Sequence, residues 1–105
     1  MGIDLLWRGN DESVRDAAYD DSSLISDLIN DLRQDRRSHH LLLSTIDPYG
    51  NTRFMSAQAG QLLRELHVIR QDSASPDLRV SIGRLISIIR AAEGAADEWL
   101  EFVGD

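Results

Sequence analysis

Residues 39–71, HHLLLSTIDPYGNTRFMSAQAGQLLRELHVIRQ, constrain the fold more than any other stretch, because each junction within them has a local physical cause. Asp47-Pro48-Tyr49-Gly50 is written in turn residues. Asp at the first position bonds the backbone two residues on, and Pro48 presets φ. Gly50 is expected to take the positive φ that closes a three-residue loop with a bulge. The flanking apolar runs then read as a hairpin of strands 40–46 and 52–55. That loop sets Ser44 opposite Phe54 and Ile46 opposite Thr52. Both faces of the first strand carry leucine or isoleucine, which predicts a central place in the sheet. Ser56 stands where an N-cap is required, ahead of a helix over 57–71 that buries Ala59, Leu62, Leu63, Leu66 and Ile69.

The rest of the chain follows the same two periods. Ile3, Leu5 and Trp7 alternate with Asp4, Leu6 and Arg8, predicting a half-buried strand over 2–8. Residues 9–21 are a polar connection anchored by Val14, Ala17, Ala18 and Tyr19. Leu24, Ile25, Leu28, Ile29 and Leu32 then fall in one arc of a helix over 22–36, with Asp21, Ser22 or Ser23 as cap. Asp20 and Asp21 near its start and Arg33, Arg36 and Arg37 near its end suit the helix dipole. Ser75-Pro76 opens a third helix, with a cap followed by proline at the first helical position. Its apolar face runs from Leu78 through Ile82, Leu85, Ile86, Ile89, Ala92 and Ala96 to Trp99, Leu100 and Val103, which carries the helix over 76–96 or on to 103. Gly83 and Gly94 each cost that helix about 1 kcal/mol relative to alanine. The alternative breaks near Gly94 and makes 99–103 a final strand with Phe102 inside. The fold class is therefore α+β: a single compact domain, 1–105, whose small, mostly antiparallel sheet is packed by about three helices.

Composition narrows the chemistry. With 105 residues and no cysteine, the core has no disulfide to lean on, and thiolate chemistry is excluded. The N-terminus lacks a basic region and a long apolar run, and no segment approaches the roughly 20 apolar residues of a membrane helix. A cytoplasmic protein with no membrane contact is the expectation. All eleven basic residues are arginine, and the formal net charge is −7. Residues 1–35 hold nine acids against three arginines, residues 36–90 four acids against eight arginines, and residues 91–105 five acids. Net acidity speaks against nucleic acid as a partner, because phosphate backbones reward clustered positive charge.

Motifs for catalysis are missing. His39 and His40 are adjacent, so on a strand they point to opposite faces, and His67 stands alone; no HxxxH or HExxH spacing exists. No Gly-x-Ser-x-Gly elbow occurs, and the seven glycines are too dispersed to form a phosphate-cradling loop. The reading is of a protein that is not an enzyme and has no cofactor, no metal and no catalytic residue. Trp7 and Trp99 are assigned to the core rather than to a binding platform. Arg33, Arg36, Arg37, His39 and His40 form the densest basic cluster and are the alternative site, for an anionic ligand or a small enzyme's substrate. Asp27 and Asp31 lie one turn apart on the flank of the apolar arc, where like charges cost a few tenths of a kcal/mol.

The residues Asp47-Pro48-Tyr49-Gly50, then Thr52, Phe54, Gln58, Leu62, Glu65 and Leu66, with the ending Phe102-Val103-Gly104-Asp105, carry a resemblance. The chain resembles a group of short bacterial proteins that share a DPYG turn, a T-x-F strand, a Q-x3-L-x2-E-L helix and a terminal GD. These motifs are structural. The resemblance implies a compact bacterial domain and brings no activity or catalytic residue with it. The expected function is thus that of a small acidic interaction protein of immunity, inhibitor or accessory type. A basic protein partner would meet the acidic surface of Asp11, Glu12, Asp16, Asp27 and Asp31. Self-association through a strand edge, giving a homodimer, is compatible with that role.

Overall fold

The computed structural model of the protein describes residues 2–34 and 40–104. Its element order is β1 (Asp4–Arg8), β2 (Val14–Ala18), α1 (Leu24–Gln34), β3 (Asn51–Met55), α2 (Ala59–Asp72), α3 (Pro76–Ala92) and β4 (Trp99–Val103). The strands form one antiparallel sheet in the order β2-β1-β4-β3, so the fold is α+β. The helices lie on one face of that sheet. Ile3 and Leu5 of the N-terminal segment, Phe54 of β3 and Leu100 and Phe102 of β4 point into a core shared with Ile25, Ile29, Leu62, Leu66, Ile82 and Ile89. Phe54 meets Phe102 edge-on at 5.9 Å between ring centroids.

Among the described residues no helix lies on the other sheet face. Cross-strand rows there run Met55–Trp99–Arg8–Val14 and Arg53–Glu101–Leu6–Ala17. Arg53 lies over the Trp99 ring at 4.4 Å, and Arg8 Nε reaches Glu101 Oε1 at 3.3 Å. Trp99 is therefore buried by charged side chains on the open face rather than by the helix-side core.

Two buried carboxylates decide how helices join this sheet. Asp20, 8% exposed, accepts hydrogen bonds from the backbone N–H of Ile3 (3.0 Å), Ile25 (3.1 Å) and Ser26 (2.9 Å). It caps α1 at a distance, because Ser23 before the helix has φ +61° and Asp20 supplies the acceptor that a cap residue ordinarily provides. The Asp20 carboxylate thus accepts from Ile25 and Ser26 N–H, while the carbonyl of Ser23, just before the helix, accepts from Asp27 N–H at 3.0 Å. Glu65 of α2, 3% exposed, does the same for a short 3-10 helix at Leu43–Thr45, accepting from Leu42 N–H and Leu43 N–H, the latter at 3.0 Å.

That 3-10 helix corrects the hairpin. Residues 40–46 form no strand: Ser44 and Thr45 hydroxyls bond back to the carbonyls of Leu41 and Leu42, and Glu65 holds the N-terminal donors. The place beside β3 belongs to β4, so the register of Ser44 opposite Phe54 does not exist. The run is apolar because Leu43 and Ile46 plug the core, while Leu41 is exposed. Asp47–Gly50 is nonetheless a turn, with Tyr49 N–H on Asp47 Oδ1 at 2.9 Å. Gly50 does not take positive φ; among the described glycines only Gly94 does, at +82°. The tight glycine is Gly104, whose N–H donates to the Gly50 carbonyl at 2.8 Å and where a Cβ would collide with the Pro48 carbonyl.

Three further expectations change. α3 stops at Ala92 instead of continuing to 96 or 103, because Gly94 turns left-handed and Asp97 follows at φ +64°. The alternative with strand 99–103 is the one observed, with Phe102 fully buried. Residues 14–18 of the polar connection are a strand, the half-exposed edge β2. Ser56 opens a 3-10 turn and does not cap α2; Gln58 Oε1 accepts from Met55 N–H at 3.0 Å instead. Ser75 and Pro76 open α3 as expected, the Ser75 hydroxyl accepting from Leu78 N–H.

Glu65→Ala is expected to destabilise the protein by about 2–4 kcal/mol, since it orphans buried N–H groups and leaves a cavity. Chemical denaturation measures this. A loss under about 0.5 kcal/mol would show that the 41–45 segment does not depend on Glu65.

Candidate functional site

The acidic residues divide by what their carboxylates already hold. Asp11 and Glu12 sit in the turn between β1 and β2. Asp11 Oδ1 accepts from the Ser13 hydroxyl (2.6 Å) and the Ser13 N–H (3.1 Å), and these bonds hold its carboxyl below the usual carboxylate pKa. Glu12 has φ +67°, and its carbonyl accepts from Arg8 Nη1 at 2.9 Å. Asp16, on β2, turns its carboxylate onto the Ala17 N–H at 2.8 Å. Asp27 and Asp31 are exposed on α1, with no side-chain hydrogen bond or ion pair among the described residues.

The five residues do not form one patch. The turn and α1 leave opposite ends of β2, whose five residues span roughly 16 Å at the usual rise. Asp27 and Asp31 are brought together; Asp11 and Glu12 stand apart from them.

Each of the three arginines of the first 35 residues is engaged by a partner within the fold. Arg8 pairs with Glu101, Arg15 with Glu98, and Arg33 Nη1 donates to the Ile46 carbonyl at 2.8 Å. None of the three pairs with Asp21, Asp27 or Asp31, and Glu12 and Asp16 also have no ion pair among the described residues.

The basic cluster is only partly in view. Arg33 is committed to Ile46, and Arg36, Arg37 and His39 lie outside the described residues. His40 helps line an open groove of about 280 Å³ with Leu28, Leu32, Ile69, Asp72, Ser73 and Leu78. A smaller cleft of about 80 Å³ surrounds the outer side of Asp20, with Tyr19, Asp21, Ser22, Ser81 and Arg84 among its lining. His67 Nε2 lies 3.2 Å from Arg90 Nη2. Among the described residues no group of three or more His, Asp or Glu is arranged to hold a metal ion, and no helix is long and apolar enough to cross a membrane.

Sequence reasoning set Asp20 near the start of α1 and Glu65 in a structural motif, but missed the buried bonds that each makes, and missed Glu101 altogether. Their signal is not periodic, because each is defined by backbone donors or arginines far away in the chain. Comparison with known proteins gives no match to a family model, a curated protein or a solved structure.

Ser13→Ala should raise the Asp11 titration midpoint toward the ordinary aspartate range, since it removes the hydroxyl that favours the carboxylate. NMR titration of side-chain carboxyl carbons reads this directly. An unchanged midpoint would mean that Ser13 does not hold Asp11.

Proposed function

We propose that the protein is a small acidic interaction module, not an enzyme, that binds a basic protein partner through the exposed face of α1. The observation that carries this reading is the pair Asp27 and Asp31. They are exposed, one turn apart, and without an ion pair among the described residues, while Asp20 in the same segment is turned inward as a cap and Arg8, Arg15 and Arg33 are engaged elsewhere. Two like charges on one helix face cost a little stability and gain nothing within the fold. A basic partner would turn that cost into attraction and faster encounter, an effect that weakens with salt.

Asp11, Glu12 and Asp16 belong to this proposal as a flank rather than a centre, because Asp11 and Asp16 already accept backbone hydrogen bonds. An immunity, inhibitor or accessory role in the cytoplasm fits such a module. So does the resemblance to short bacterial proteins.

Affinity capture with the wild-type chain and with the Asp27→Asn, Asp31→Asn double variant tests the reading. A basic protein is expected with the wild type at low salt and is expected to be lost with the double variant, whose stability should be equal or slightly higher. The same proteins captured equally by both baits would remove α1 as the binding face.

A further inference from the structure

The two edges of the sheet are treated differently. β2 is guarded: a bulge interrupts its pairing at Trp7 and Arg8, Arg15 reaches over to Glu98, and Asp16 occupies the outward Ala17 N–H. β3 has no bulge, no proline and one charged side chain.

Its hydrogen-bond phase is fixed at both ends. Gly104 N–H donates to Gly50 and Ser56 N–H to Glu98, so even-numbered residues of this stretch face β4. Asn51, Arg53 and Met55 therefore direct their backbone N–H and C=O away from the sheet. Met55 N–H is closed by Gln58. Asn51 and Arg53 keep both groups without a partner among the described residues, and both residues are exposed.

This short edge is self-complementary. A two-fold axis through Thr52 sets Asn51 of one copy opposite Arg53 of the other, twice, and matches every open N–H with an open C=O in four hydrogen bonds. Moving the axis to Arg53 would oppose two arginines and require the Met55 N–H that Gln58 holds. We infer that the protein forms a two-fold homodimer by antiparallel pairing of β3 with β3 of a second copy, centred on Thr52, giving one continuous eight-stranded sheet.

The dimer does not depend on the α1 reading, and the two respond oppositely to salt. Each copy carries a formal charge of −7, so added salt screens the repulsion and strengthens the dimer, whereas it weakens capture of a basic partner.

Amide hydrogen exchange on the purified chain, followed by NMR from micromolar to millimolar concentration, tests the inference. Asn51 and Arg53 amides should gain protection with concentration, while Thr52 and Phe54 amides, bonded to β4, stay protected throughout. Arg53→Pro removes an outward donor without touching the β4 ladder. It should weaken dimerisation about tenfold or more in sedimentation equilibrium, because symmetry removes two hydrogen bonds at once. Arg53→Ala keeps the donor and should retain the dimer. Fast exchange of Asn51 and Arg53 at every concentration, or a dimer that survives Arg53→Pro, would overturn the proposal.

Discussion

The carboxylate of Asp20 is the contact on which the rest of the fold depends. It accepts from Ile3 ahead of β1 and from Ile25 and Ser26 in the first turn of α1, so one buried group ties the start of the sheet to the start of a helix. The surrounding backbone is arranged to let it in. Asp20 N–H donates to Asp4 Oδ1 at 2.8 Å, the Asp20 carbonyl accepts from Ser23, and Gly2 passes so close to that carbonyl that a Cβ would collide with it. Hydrogen bonds to an ionised acceptor are each worth about 1.5–3 kcal/mol, and removing the acceptor leaves three donors to be satisfied.

The same device recurs, and it explains why so acidic a chain can pack. Glu65 caps the 3-10 helix from α2, and its Oε2, which accepts from Leu42 N–H, also accepts from Gln61 Nε2 at 2.9 Å. Glu101 lies on the helix-free sheet face, reached by Arg8 at 3.3 Å and more loosely by Arg53 at 3.9 Å. Arg53 also covers Trp99, an aromatic–guanidinium contact worth about 0.5–2 kcal/mol depending on desolvation. Arg8, Arg15, Arg33 and Arg53 thus serve the fold, and Asp27 and Asp31 of α1 are among the exposed acids they do not reach. The interaction proposal follows from this division of charge, not from the net charge alone.

Periodicity was legible wherever one element buried one face. The arcs of α1, α2 and α3, the Ile3–Leu5 alternation and the Ser75-Pro76 start all sit where the pattern puts them. It was silent for β2, whose Val-Arg-Asp-Ala-Ala has no apolar alternation because an edge strand exposes most of its side chains. It misled at 40–46, where a short apolar run fits a buried strand and a buried plug equally well. The arbiter there was Glu65, two dozen residues on. The end of α3 was balanced between two readings until Gly94, which a helix tolerates but a break requires, took its left-handed conformation. For the candidate site, Asp27 and Asp31 were visible as uncapped acids. The commitment of Arg33 to the Ile46 carbonyl was not, since it rests on a backbone group that only the folded chain brings near.

The most direct measurement of this account is the stability and amide exchange of Asp20→Ala. If Asp20 joins sheet and helix, the variant loses about 2–4 kcal/mol, and the amides of Ile3, Ile25 and Ser26 lose protection together. A variant within about 0.5 kcal/mol of the wild type, with those three amides still protected, would contradict it.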